Sequence, residues 1–199
     1  MVEAAVPFVG LTGGLGAGKS TALAALARLG ADVISSDAVV HELYEGDQLR
    51  DAVLARFGPE VAPGGIVDRG AVARRAFATP EDRAWLEGQV WPLVGARVAS
   101  WLEQARTRTP APRAAVVEVP LLFEAGLQDL YDATIAIVSD EEVRRSRAAS
   151  RGHELVDERA ARQLSQQEKA ERASFVVHND GSVADLELEL SAVLAKLKR

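Results

Sequence analysis

The chain of 199 residues has no cysteine. That excludes disulfides, thiolate metal sites and cysteine nucleophiles. It also lacks any apolar run near the ~20 residues a bilayer-spanning helix needs, so no membrane partner is expected. Histidine is sparse: His41, His153 and His178 are scattered without the spacing of a metal site. Positive charge is not in excess. A net charge of −6 argues against a broad nucleic-acid surface, though it leaves room for a local basic site that takes a phosphorylated small molecule. Residues 1–7 show no basic region followed by an apolar core, so no secretory leader is expected. There is no internal repeat and no low-complexity tract beyond a general richness in Ala and Arg. A cytoplasmic monomer is the expected state. Lysine is the rarest charged residue, occurring only at Lys19, Lys169, Lys196 and Lys198.

What is present is the composition of a soluble globular domain, 48% hydrophobic and 26% charged. One stretch organises the rest: Gly13-Gly14-Leu15-Gly16-Ala17-Gly18-Lys19-Ser20, followed by Thr21, which fits G-x-x-x-x-G-K-[ST]. Glycines let the backbone curl so that successive N–H groups point inward as an anion nest. The helix that follows adds its free N–H groups and the positive end of its dipole. Lys19 then reaches the β- and γ-phosphates, and the Ser20 hydroxyl can take a place on Mg²⁺. Gly13, Gly14, Gly16, Ala17, Gly18, Lys19, Ser20 and Thr21 are thus the candidate nucleotide-binding residues, with Ser20 the candidate metal ligand. The context is right, since residues 6–12 read as a strand and residues 20–29 as a helix closed by Gly30. A chain that otherwise prefers Arg places Lys where a compact ammonium suits a phosphate.

Residues 33–35 read as a second strand. Asp37 lies just past its C-terminal end, on the rim where open α/β sheets bind ligands. Spacing alone leaves two readings for Asp37, a helix cap or a catalytic carboxylate. From about residue 47 to 113 the pattern is a helical insertion. Asp68 is a cap, Thr79-Pro80 is a helix start, and Pro92 is expected to break or kink the helix that contains it. Trp85, Trp91 and Trp101 read as core, and Arg69, Arg74, Arg75 and Arg97 are available to an anionic substrate. Residues 114–120 form an almost continuous apolar strand, as in a parallel sheet covered on both faces. Glu118 lies near its end, where a second acid often holds Mg²⁺ through water. After a strand at 133–138, Ser139 and Glu142 have the offset of a capping box. Arg147 and Arg151 then share a helix face, placed as a lid over phosphates or as a solvated basic face. Asp157 and Ser165 read as caps, residues 175–178 as the last strand, and Ser182 as the start of a final amphipathic helix. The expected fold is α/β, with a five-stranded parallel sheet flanked by helices in the order of a small-molecule kinase.

Several separated motifs together resemble the dephospho-coenzyme A kinase family. They are Gly10-Leu11-Thr12-Gly13-Gly14, Val33-Ile34-Ser35-Ser36-Asp37, Val67-Asp68-Arg69, Leu86-Glu87 and Pro92-Leu93-Val94. The most distinctive is Glu118-Val119-Pro120-Leu121-Leu122-Phe123-Glu124. Arg147, Arg151, Gln163, Lys169 and Asn179-Asp180-Gly181 complete the match. The resemblance implies a P-loop kinase that uses ATP and Mg²⁺ to phosphorylate the ribose 3′-hydroxyl of dephospho-coenzyme A. It implies a nucleotide-binding core over 1–46, 114–139 and 173–199, a coenzyme A-binding insertion over 47–113 and a lid over 140–172. On this resemblance Asp37 orients or deprotonates the hydroxyl, and Lys19, Arg147 and Arg151 stabilise the transferring group. Asn179 lies near the adenine. Three positions depart from the family pattern: Ser35 stands for an Asp, Trp91 for a His and Ser174 for an Asp. The rival readings are a kinase for a nucleoside monophosphate, a GTP-binding switch and an inactive nucleotide-binding protein. The Asn-Lys-x-Asp run that reads guanine is missing, and Lys19, Ser20 and Asp37 together argue for activity.

Overall fold

The computed structural model describes residues 5–144 and 163–197. Contacts divide the chain into two units, Met1–Ser35 with Leu102–Arg199, and Ser36–Trp101. The first unit is built on five strands: β1 (Phe8–Gly13), β2 (Asp32–Ser35), β3 (Ala115–Glu118), β4 (Ala133–Val138) and β5 (Phe175–His178). They form one sheet in the order β2-β3-β1-β4-β5, and every neighbouring pair is parallel. The five-stranded parallel sheet expected from the sequence is therefore present. β3 and β4 are buried along their whole length, the condition for strands that read as unbroken apolar runs.

Helix α1 (Lys19–Arg28) and the last helix among the described residues, Val183–Lys196, pack together on the sheet. Their Ala22, Leu26, Leu186, Leu190 and Leu194 join Val9, Leu11, Val116, Ile135, Ile137 and Val177 in one core. The chain winds to one side of β1 through β3 and β2, and to the other through β4 and β5. The C-terminal end of β1 is thus the switch point of the sheet, where ligands of open α/β folds bind.

The second unit is helical. It comprises α2 (Ser36–Glu45), α3 (Asp47–Phe57), α4 (Arg69–Ala76) and most of α5 (Pro80–Arg106). Its own core joins Tyr44, Leu49, Val53, Phe57, Val61, Val72, Ala76 and Val90. Asp68 caps α4, accepting the Gly70 and Ala71 N–H groups at 2.9 and 3.1 Å. The Thr79 hydroxyl accepts the Asp82 N–H at 3.1 Å and so holds the start of α5. Both starts follow from short polar side chains that replace missing intrahelical partners.

Three expectations are corrected. α5 continues through Pro92 without a break. Pro92 removes one donor, but it and Gly88 are both exposed, so the unmatched carbonyl faces solvent and no core contact is lost. Trp91 is 60% exposed and is not core, whereas Trp101 is buried. Trp85 is half-buried, packed edge-on against Phe57 at 5.4 Å. Ser139 does not cap the helix that begins at residue 141. Its hydroxyl donates instead to the Asn179 carbonyl at 3.2 Å.

Candidate active site

The loop between β1 and α1 has the geometry its glycines permit. Gly16 and Gly18 lie at φ 75° and 91°, the left-handed region that side-chain-bearing residues avoid. At Gly13 a Cβ would stand 2.5 Å from the Ile137 carbonyl oxygen, so only glycine lets β1 pass its neighbour and turn. Gly18 precedes α1 without a side-chain cap, and the first turn carries no acid. A helix start with neither a side-chain cap nor an acid in its first turn suits an anion at its positive end. Lys19 Nζ donates to the carbonyls of Gly13 at 3.0 Å and Gly14 at 3.2 Å, folded over the loop from which it projects. Ser20 is exposed beside it, and Thr21 follows in the same turn.

Contacts distant in sequence support this loop from behind. Asn179, just past β5, is buried, and its Nδ2 donates to the Ala17 carbonyl at 2.8 Å. Its own N–H donates to the Val138 carbonyl at 2.9 Å. Asn179 thus braces the loop by hydrogen bonding. Arg144 Nε donates to the Leu15 carbonyl at 3.0 Å. Gln166 exchanges two bonds with the Ser139 backbone, at 3.0 and 2.9 Å, and its side chain packs on Gly14. Sequence reasoning passed over Arg144 and Gln166 as parts of the site, since no local pattern announces a contact across more than a hundred residues.

At the neighbouring strand ends Ser35 and Glu118 are direct register partners. The Ser35 hydroxyl donates to Glu118 Oε2 at 2.6 Å, and Glu118 is nearly buried. The carboxylate at the end of β3 is therefore held by a hydroxyl on β2. Asp37 is the second residue of α2, within its first turn and exposed, so the structure places it inside the helix and not at its cap. Arg147 and Arg151 lie outside the described residues.

The second unit carries a cavity of about 310 Å³ lined by His41, Tyr44, Arg50, Ile66, Val67 and Arg69, among others. Burial raises the Tyr44 pKa and the nearby Arg69 opposes that shift. Of the four arginines expected to be available to an anion, three lie near acids. Arg74 is 3.9 Å from Asp68, Arg75 is 2.7 Å from Glu60 and Arg97 is 3.7 Å from Glu42. Arg69 is the one that lines the cavity.

No helix among the described residues is long and apolar enough to cross a membrane. None of them forms a cluster of three or more His, Asp or Glu able to hold a metal alone. An exposed Ser20 beside the glycine-rich loop nonetheless has the chemistry to suit Mg²⁺, which binds through few protein groups together with substrate phosphates and water.

Comparison with known proteins draws these features together. The family model described as dephospho-CoA kinase matches residues 7–185. A dephospho-CoA kinase of Anaeromyxobacter dehalogenans is 40% identical over 195 residues, covering 96% of this chain and 92% of that protein. A crystal structure from Thermus thermophilus superposes with a TM-score of 0.80 at 35% identity, over 98% of this chain and all of that one. A dephospho-CoA kinase from Campylobacter jejuni, 23% identical, shares the fold at a TM-score of 0.63, over 96% of this chain and 97% of that one. The match runs well beyond the phosphate loop, through the helical unit and both sides of the sheet, and the chain belongs to the dephospho-CoA kinase family of P-loop kinases.

Proposed function

We propose that the protein transfers the γ-phosphoryl group of ATP to the ribose 3′-hydroxyl of dephospho-coenzyme A, completing coenzyme A. The observation that carries this reading is an intact phosphate loop within a family match covering residues 7–185. The loop N–H groups and Lys19 would hold the phosphates, and Ser20 would take one coordination place on Mg²⁺. When bound, that metal neutralises charge on the phosphate oxygens. Asp37 accepts a hydrogen bond from the ribose hydroxyl and receives its proton as the new oxygen–phosphorus bond forms and the bond from the γ-phosphorus to the β,γ-bridging oxygen breaks, releasing ADP. Asn179 braces the loop through Ala17, which is compatible with a place near the adenine. Arg147 and Arg151 carry the role of charge stabilisers on resemblance alone.

The acceptor is assigned to the helical insertion expected over residues 47–113, with residues 140–172 as the lid. The cavity around Tyr44 and Arg69 has the mixed lining suited to a ligand with both apolar and anionic parts. Arg69→Ala is expected to raise the acceptor KM about 10-fold with little change in kcat, the scale of one lost hydrogen bond to a charged group. Initial rates at varied acceptor concentration check this, and an unchanged KM removes the cavity from acceptor binding.

The reaction is tested by a coupled assay with ATP, Mg²⁺ and dephospho-coenzyme A, with the product identified by mass and a chelator control that abolishes turnover. Preferential phosphorylation of a nucleoside monophosphate overturns the assignment.

A further inference from the structure

Lys169 is fully buried, at 0% exposure. It lies in α6 (Gln166–Arg172), a helix of seven residues in which it is the buried side chain. This helix therefore meets the sheet through a charge rather than through an apolar face. Lys169 Nζ is 2.9 Å from Glu124 Oε1 and donates to the Pro120 carbonyl at 2.7 Å and to Thr12 Oγ1 at 3.4 Å. Glu124 Oε1 also accepts the Leu164 N–H at 2.8 Å, while Oε2 is buried without a hydrogen-bond partner among the described residues. Burial pulls the Lys169 pKa down and Glu124 pushes it back up.

An apolar pair of similar volume holds such a helix at least as firmly, because a buried ion pair recovers little beyond its desolvation cost. What distinguishes the charged pair is the set of groups it joins. Thr12 is the residue before Gly13, where the phosphate loop begins. Pro120 lies two residues beyond Glu118, the acid that accepts the Ser35 hydroxyl. Lys169 thus ties the end of β1 to the end of β3. One turn earlier Gln166 ties the same helix to Ser139 and lies against Gly14. Lys169 itself bonds to Thr12, Pro120 and Glu124, all outside the loop residues 14–18.

We infer that the Lys169–Glu124 pair is a positioning element for phosphoryl transfer, which sets the phosphate loop against the Glu118 edge of the sheet and acts on turnover rather than on nucleotide affinity. The inference rests on the reaction proposed above, which the wild-type control reads separately.

The test compares Lys169→Met with the double variant Lys169→Met/Glu124→Gln. The single variant leaves a carboxylate buried alone and is expected to be destabilised. The double variant removes both charges and keeps an acceptor for Leu164, so it is expected to melt near the wild-type temperature. Its kcat is expected to fall about 10- to 100-fold, the scale of a small misalignment of reacting groups. Its affinity for a fluorescent ATP analogue is expected to stay within about 3-fold, because uniform binding is untouched. Wild-type turnover in the double variant, its failure to fold, or a loss of nucleotide affinity that matches the loss of kcat each overturns the inference.

Discussion

Asp37→Asn is expected to lower turnover by at least ~100-fold and to leave ATP binding nearly unchanged, the scale of a lost general base. The substitution is chosen to separate two roles. Asn keeps the shape of Asp within the first turn of α2, so the structural cost is limited to the charge–dipole contribution, about 0.3–1 kcal/mol. The side chain is exposed and lies in the first turn, so it carries no core packing that the change could disturb. What Asn lacks is the negative charge that, in the mechanism proposed above, orients the attacking hydroxyl and accepts its proton. The effect is therefore expected on kcat, whereas the KM for ATP, assigned above to the loop before α1, is expected to hold. Steady-state kinetics with both substrates varied, together with a melting curve, give the answer. Turnover at the wild-type rate in the Asp37→Asn variant removes Asp37 from the mechanism.

The parts of the fold that were legible in the sequence are those whose cause is local. The glycines of residues 13–18 require a loop, and the caps at Asp68, Thr79, Ser165 and Ser182 each announce a helix within three residues. The unbroken apolar runs of β3 and β4 require a sheet covered on both faces. Where phase or distance matters, local reading fails. Val90 and Trp101 are both buried and lie about three helical turns apart, so they share one face of α5. Trp91 is rotated about 100° from Val90 and is exposed, although its residue type alone suggested core. The brace from Asn179 to Ala17 and the tie from Lys169 to Thr12 span 162 and 157 residues. No periodicity or motif spacing encodes such contacts. They exist because the order β3-β1-β4-β5 gathers the strand ends onto one rim.

The same rim explains why Ser139 is not the cap its offset suggested. Its N–H is held by Gln166 and its hydroxyl by the Asn179 carbonyl, at 3.0 and 3.2 Å. A tertiary contact between the ends of β4 and β5 thus takes the hydroxyl that would otherwise close a local capping bond. The Ser35–Glu118 bond is similar in kind. The pairing of β2 with β3 brings the two residues side by side, and the hydroxyl then satisfies a carboxylate that is nearly buried.

Lys19→Met is expected to lower kcat by about 10²- to 10³-fold, as for the loss of one preorganised charge at the transition state. It is also expected to weaken ATP binding, and this second effect distinguishes it from Asp37→Asn. The ammonium now rests on the Gly13 and Gly14 carbonyls at 3.0 and 3.2 Å, so it is already held over the loop and needs only a short reach to a phosphate. Little ordering entropy remains to be lost when nucleotide enters, so its charge favours the bound nucleotide and, more strongly, the transition state in which charge is redistributed. Lys19→Arg is the sharper control. Its charge is kept, but the planar guanidinium is wider and cannot place a point charge between two oxygens. The approach is also close, since the Lys19 Cγ lies 3.3 Å from the position a Cβ on Gly13 would take. The arginine variant is therefore expected to bind ATP better than the methionine variant and yet to recover little of the turnover. Full recovery with arginine would reduce the role of Lys19 to net charge and would remove the argument that its compact shape matters.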